Sequence, residues 1–160
     1  MLVTTRVRAA ARRRRLAAAL LATTTALTVA GSLAPASGEG STVGYAAVQE
    51  ASRHNGQPYV YGAAGPTRFD CSGLTKYVYG RLGRSLPHSA AGQYTAAGVV
   101  HISQASRAVG DLIFMRSSSG AISHVGIYAG SNRWWVAPKA GDHVKLQTLY
   151  SSHYSVGRVR

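Results

Sequence analysis

The sequence predicts an α+β domain in which helices near the amino terminus pack on an antiparallel sheet of five or six strands. Two observations support this fold class. Apolar residues recur at helical spacing up to about residue 98, and six short segments rich in Val, Ile and aromatic residues follow, separated by Gly, Ser, Asn or Asp turns. Helices first and strands later is the order typical of α+β domains, whereas α/β domains alternate the two.

Three helices are predicted, each bounded by a capping residue and a glycine: Ser41 to Asn55-Gly56, Asp70 to Gly83, and Ser89 to Gly98. The predicted strands are the segments 99–103, 111–115, 122–130, 133–138, 143–150 and 153–159. The chain shows no internal repeat, heptad pattern or low-complexity segment after residue 36. We therefore expect one domain.

The first 36 residues predict a signal peptide that is removed on export. Six arginines precede an apolar stretch, Leu16 to Leu33, and the small-residue site Ala34-Pro35-Ala36 follows. A membrane anchor is the alternative, but four threonines, a glycine and a serine make the stretch weakly apolar for that role. We expect residues 37–43 to form a short leader and residues 44–160 to form the domain.

The charge of the exported part is positive and dispersed. Residues 37–160 keep 12 of the 18 basic residues and all five acids, a formal net charge of +7. Because the basic residues form no run, the pattern argues against a nucleic-acid-binding tail and favours weak attraction to an anionic surface such as a cell envelope. A basic exported protein without such a partner is the alternative. We expect a monomer.

The segment Phe69–Leu74, FDCSGL, holds the single cysteine of the chain. A lone cysteine in an exported protein is a buried structural residue, an intermolecular link or a reactive thiol. Asp70 stands at the N-cap position, so Cys71 falls in the first turn of the second helix. Backbone N–H groups there favour a thiolate, lower the thiol pKa to between about 3.5 and 7.5 beside a protonated histidine, and can bind an oxyanion. The local residues leave a structural and a catalytic thiol both open.

A thiolate needs a base, and His124 is the best placed of six histidines. Alternation in the strand 122–130 puts His124 on one face with Gly126 and Tyr128, so a titratable ring lies beside a residue that has no side chain. His54 lies at a helix end and His88 lies beside Pro87, and we expect both to be solvated. His101 and His143 lie in predicted strands. A structural role remains the alternative for any of them.

Together these segments resemble the NlpC/P60 family of papain-like cell-wall cysteine endopeptidases. The likeness extends from about Gly44 to Arg160 and rests on six segments in matching order and spacing: QPYVYG (57–62), FDCSGLTKYVY (69–79), LPHSAAGQ (86–93), GDLIFM (110–115), HVGIYAG (124–130) and VAPKAGDHV (136–144). The resemblance implies a papain-like arrangement of the predicted elements and no metal or organic cofactor. The sequence also shows no cluster of His, Cys and carboxylates at metal-ligand spacing.

The resemblance also implies the roles of the site residues. Cys71 would be the nucleophile and His124 the general base. Tyr59 would help to hold the oxyanion or substrate, and backbone N–H groups near Cys71 and Ser72 would complete the oxyanion hole. Asp70 is assigned first to the helix cap and second to a contact with a substrate amine. The implied substrate is the peptidoglycan stem peptide, typically cut between D-glutamate and a diamino acid through a γ linkage.

One position departs from the family pattern. The family usually places a third polar residue, most often His, before the Ala-Pro that follows the catalytic histidine, and this chain has Val136 there. Valine offers no acceptor to the second imidazole nitrogen. His143, a backbone carbonyl or a water would then replace it, or the chain is a slow dyad, or it retains wall binding alone. A related acyltransferase or amidase is a further alternative, since the same chemistry serves both.

Overall fold

The computed structural model describes residues 38–160, and the predicted signal peptide lies outside the described residues. Three α-helices precede the sheet: α1 (Gly38–Ser52), α2 (Cys71–Arg81) and α3 (Ala90–Tyr94). Six strands follow: β1 (Val99–Ile102), β2 (Leu112–Arg116), β3 (Ile122–Gly130), β4 (Arg133–Val136), β5 (Lys145–Thr148) and β6 (Tyr154–Val159). The predicted α+β class and all six predicted strands are confirmed.

The strands form one antiparallel sheet in the order β1-β6-β2-β3-β4-β5. The β2–β3 register is irregular where Met115 pairs with His124 and Arg116 pairs with Ile122. This shift leaves Ser123 as an extra residue on β3, which is the pattern of a β-bulge. A bulge redirects the side chains next to it. His124, which the sequence predicts as the base, stands directly beside this bulge.

Alternation along the strands gives the sheet two apolar faces. On one face Phe114, Val125 and Trp135 belong to a buried cluster that also contains residues of α1 and α2. On the other face Tyr128 and Trp134 belong to a second buried cluster, which residues near the carboxyl terminus complete. The sheet is therefore covered on both sides, and helix α2 is fixed against the face that Val125 occupies.

Three helix boundaries differ from the predicted ones. Helix α1 begins at Gly38, three residues before Ser41, and ends at Ser52, four residues before Gly56. The short leader over 37–43 stays a prediction. Helix α3 begins after its predicted cap Ser89 but ends at Tyr94, four residues before Gly98. Its last turn closes early because the chain must enter β1, whose Val99 already pairs with Val159.

In residues 38–160 no helix is both long enough and apolar enough to cross a membrane.

Candidate active site

The amino end of α2 is organised by the carboxylate of Asp70. Its oxygens accept hydrogen bonds from the Gly73 N–H (2.6 Å), the Gly62 N–H (2.9 Å) and the Ser72 hydroxyl (3.1 Å), and His88 Nε2 lies 3.0 Å away. Burial raises the pKa of Asp70, but the hydrogen bonds from Gly73, His88 and Gly62 outweigh burial and hold the pKa below its ordinary value. Asp70 is the predicted helix cap, and its oxygens already have these donors.

Two histidines have environments that the sequence did not indicate. His88 is exposed, as expected, but its Nε2 lies 3.1 and 3.0 Å from the two oxygens of Asp70. His54, also expected to be solvated, is buried, and its ring makes edge contacts with Phe69 (4.9 Å) and Tyr77 (5.1 Å). The correction for His54 has a tertiary cause, because segments distant in sequence cover its side chain.

Gln93 is a site residue to which the sequence analysis assigned no role. Its side chain is fully buried, and its Nε2 donates to the carbonyl oxygens of Ser72 (2.8 Å) and Pro87 (2.9 Å). Its Oε1 accepts from the Thr75 hydroxyl at 2.7 Å. These bonds tie α3 to the first turn of α2. The available signal was the position of Gln93 at the end of the segment 86–93 that carried part of the resemblance.

Close packing joins the loop before α2 to the helix itself. A Cβ atom added at Gly73 would lie 2.0 Å from the carbonyl oxygen of Ala63, so only glycine allows this approach. The Asp70 N–H donates to the same carbonyl at 2.8 Å. Phe69 forms a bridge with Tyr59. The loop thereby carries Tyr59 to the start of α2.

The Cys71 sulfur lies among backbone donors from α2 and β3. The N–H groups of Val125, Ser72 and Cys71 itself lower the pKa of the thiol. Burial, and then the negative charge of Asp70, raise it more strongly, so the pKa lies above its ordinary value. This corrects the expected lowering by the helix end. The resting group is a thiol surrounded by N–H groups that would stabilise the thiolate once it forms.

Tyr59 lies close enough to Cys71 to feel its charge. Burial raises the pKa of the Tyr59 phenol, and the negative charges of Cys71 and Asp70 raise it further. The backbone of Tyr59 is fixed by its N–H, which donates to the carbonyl oxygen of Asp142 at 2.8 Å. A phenol held protonated beside the sulfur can act as a hydrogen-bond donor to a substrate oxygen.

His124 immediately precedes the residue whose N–H contacts the sulfur, and this brings β3 and α2 together at the site. Burial lowers the pKa of His124 to about 4, against a smaller raising effect of Asp70. The ring is therefore neutral at pH 7 and can accept a proton. Within residues 38–160 neither ring nitrogen has a hydrogen-bond partner, and the ring packs on Trp134 with centroids 5.7 Å apart and planes at 81°.

The position at which the family usually has a third polar residue is occupied by a buried apolar side chain. Val136 is fully buried in the apolar cluster on the second face of the sheet. His143 Nδ1 lies 3.5 Å from Asp142 Oδ1, its side chain is 55% exposed, and no hydrogen bond joins it to His124 in the part of the chain that the structure describes. The contacts therefore give no support to His143 as the third residue. Among the same residues, no three His, Cys, Asp or Glu side chains cluster as a metal site would require.

The model of the NlpC/P60 family matches residues 56–159, and the chain belongs to this family. The match covers every site residue described above. The family assignment therefore agrees with the resemblance, and the structure adds the geometry.

Curated relatives share the domain. The probable endopeptidase p60 of Listeria monocytogenes is 44% identical over 105 residues, which are 66% of this chain and 21% of that protein. The bifunctional muramidase/DL-endopeptidase CwlT of Bacillus subtilis is 35% identical over 121 residues, covering 71% of this chain and 36% of the relative. The chain spans about a fifth of the length of the p60 proteins that it matches.

Solved structures agree on the fold. The NlpC/p60 domain of the peptidoglycan hydrolase SagA superposes with a TM-score of 0.62 at 35% identity, covering 73% of this chain and 98% of that one. An NlpC/P60 family protein from Bacillus cereus superposes with a TM-score of 0.66 at 25% identity, covering 72% of this chain and 39% of that one. These neighbours confirm the predicted papain-like α+β fold.

Proposed function

We propose that this protein is an exported cysteine endopeptidase that hydrolyses peptidoglycan stem peptides, with Cys71 as nucleophile and His124 as general base. One observation carries the proposal. The sulfur of Cys71 lies against the N–H of Val125, directly after His124, in a chain of the NlpC/P60 family. Relatives named for endopeptidase activity on the cell wall support the substrate class.

The chemistry follows from the resting state of the pair. His124 accepts the thiol proton as the sulfur forms a bond to the substrate carbonyl carbon, which leaves a negative charge on the carbonyl oxygen. When this intermediate collapses, the C–N bond breaks and the protonated His124 gives its proton to the leaving amine. Water then attacks the thioester, His124 takes a proton from the water, and the sulfur leaves. The thiol regains its proton, so no other reactant is consumed.

The surrounding groups suit the charge that develops. The N–H groups of Cys71 and Ser72 contact the sulfur, and the Tyr59 phenol lies within electrostatic reach of it; all three would donate to the developing oxyanion. Asp70 would reach a substrate amine only in competition with the donors that it already binds. We propose the γ-D-glutamyl-diamino acid bond as the preferred bond, on the family resemblance alone.

The test is cleavage of purified muropeptides by the protein lacking residues 1–36, followed by mass spectrometry. We expect products that differ from the substrate by addition of water across one peptide bond. Cys71→Ala and His124→Gln should each reduce the rate by at least about a thousandfold, since each removes a reacting group. Equal product in the wild type and the Cys71→Ala variant would contradict the proposal, and products of transfer to an amine would indicate an acyltransferase.

A second candidate is a member of the family that binds the wall without cutting it. The observation that favours it is the buried Val136, together with the absence of a polar partner for His124 among the described residues. The same experiment separates the two. Binding of both wild type and Cys71→Ala to purified walls, with no soluble product from either, would support the binding module.

The proposal includes export and weak attachment to an anionic envelope. Each acidic side chain described in residues 42–160 already pairs with a basic group elsewhere: Glu50, Asp70, Asp111 and Asp142. Lys76 and Arg84 pair with none of them, and both line a cleft of about 240 Å³ near the carboxyl end of α2. This cleft is the best candidate for contact with wall phosphates or carboxylates.

Attachment is tested with two variants of equal charge. Lys76→Ala/Arg84→Ala removes the cleft cations, and Arg133→Ala/Lys139→Ala removes two unpaired cations elsewhere. We expect the cleft variant alone to lose most of its binding to purified walls at low salt, and high salt to weaken the wild type. Equal losses in both variants would indicate net charge rather than the cleft. Export is checked by fusing residues 1–36 to a reporter and locating the reporter outside the cell.

A further inference from the structure

His124 is held by packing rather than by polar contacts. In residues 38–160 no hydrogen bond reaches either of its ring nitrogens, although the neighbouring catalytic groups have several each. Its ring contact is with Trp134, edge to face, at 5.7 Å and 81°. A base that must first accept and then return a proton needs one ring orientation, so this contact is the restraint that the site offers.

The indole of Trp134 is itself immobilised. It is fully buried, and its Cε3 atom lies 2.6 Å from the position that a Cβ atom on Gly126 would take. Gly126 therefore provides the space in which the indole lies across β3 towards His124. Tyr150, which is 68% exposed, packs on the indole with ring centroids 6.2 Å apart and planes at 60°.

The indole nitrogen gives a second, independent observation that Trp134 is held by packing. Trp134 Nε1 is buried and has no hydrogen-bond partner within the described part of the chain. A buried indole usually directs its N–H to an acceptor, so this ring is held by packing alone among the described residues. The same apolar surroundings disfavour the charged form of the neighbouring imidazole.

We propose that Trp134 is the positioning residue for His124, fixing the imidazole by an aromatic edge contact. Gly126 makes the space for the indole, and Tyr150 packs on it. The inference rests on the proposed function of His124 and adds a residue to it. In this proposal Trp134 acts through His124, with whose ring it is in contact.

The kinetic test compares Trp134 with another buried residue of the same apolar cluster. Trp134→Phe keeps an aromatic ring and should keep kcat within about threefold, whereas Trp134→Leu should lower kcat roughly 10- to 100-fold with little change in KM. Val156→Ala is the control, because Val156 is buried in the cluster that contains Trp134 but lies on β6. It also removes apolar volume there and should leave kcat of the folded fraction unchanged. A folded Trp134→Leu variant with wild-type kcat would overturn the proposal.

A spectroscopic test does not depend on activity or on the leucine variant folding. A protonated imidazole in contact with an indole quenches its fluorescence, so wild-type emission should fall in one step as His124 gains a proton at low pH. That step should be absent in both His124→Gln and Trp134→Phe, and present in Trp135→Phe. A step that survives in Trp134→Phe would overturn the contact. Because the readout needs no turnover, it separates failure of this inference from failure of the proposed peptidase activity.

Discussion

The two halves of the candidate site are built by different forces. Around Cys71 the polar groups are nearly all engaged: Asp70 accepts from backbone and side-chain donors, and Gln93 joins α3 to α2 through two hydrogen bonds and binds Pro87 through a third. Around His124 the contacts are aromatic and apolar, with Trp134 against the ring. Directional bonds therefore fix the nucleophile and packing fixes the base. Substitution of the polar residues around Cys71 should mainly lower the free energy of unfolding, whereas substitution of Trp134 should mainly lower kcat.

The largest expected effect comes from removing the central polar residue on the nucleophile side. Gln93→Ala should lower the free energy of unfolding by about 3 kcal/mol, because it removes the three hydrogen bonds of a fully buried side chain and leaves a cavity in its place. Urea unfolding monitored by circular dichroism measures the loss. Gln49→Ala, at an exposed position of α1, is the control and should change stability by less than about 0.5 kcal/mol. Similar losses in the two variants would contradict the polar account of the nucleophile side.

The second prediction concerns His124, whose burial should make the stability of the protein depend on pH. The pKa of His124 is about 4 in the folded chain and ordinarily 6.5, so the unfolded chain binds the proton first as the pH falls. Wild type should therefore lose stability between pH 6.5 and 4, by at most about 3 kcal/mol relative to His124→Gln. Unfolding of both proteins at each end of that window gives the difference. Parallel curves would mean that the ring is solvated.

The next largest effect is expected at the helix cap, where removal of a charge should change the pKa of the Cys71 thiol. Asp70→Asn keeps a capping side chain but removes the negative charge that raises the pKa of Cys71, so the pKa should fall. The cost in stability should be about 1 to 2 kcal/mol, since Asp70 binds several donors. The rate of alkylation by iodoacetamide against pH reports the thiol. Asp111→Asn, which disturbs the ion pair with Arg158, is the control and should leave the midpoint unmoved.

The smallest effect is expected at His88, a partly exposed partner of Asp70. His88→Ala removes one partner of Asp70, but the His88 side chain is 27% exposed and the other donors to Asp70 remain. The free energy of unfolding should fall by less than about 1 kcal/mol. A loss as large as that of Gln93→Ala would show that His88, rather than the backbone donors, maintains the cap.

The sequence predicted those parts of the fold that local chemistry determines. Strand β3 has the predicted bounds, Ile122–Gly130, because alternation and flanking turns are both strong there. Helix α2 begins directly after its predicted cap Asp70. The Cys71 sulfur contacts the N–H of Val125, the residue after His124, and the catalytic roles of Cys71 and His124 stay predictions.

What the sequence missed depends on contacts between distant segments. The burial of His54, the approach of His88 to Asp70 and the bonds of Gln93 all arise where separate elements meet, and no local pattern encodes them. The direction of the Cys71 pKa shift is a similar case. Position at a helix end predicts lowering, but burial and the adjacent carboxylate depend on the assembled fold and prevail.

The pH dependence of kcat/KM on a muropeptide tests the central claim most directly, since it reports the groups that must exchange a proton in the free enzyme. The account predicts activity that depends on Cys71, an acid limb near pH 4 from His124, and no loss of rate through the range where an ordinary imidazole titrates. An acid limb near pH 6.5, or a profile that is the same in Cys71→Ala, would contradict it.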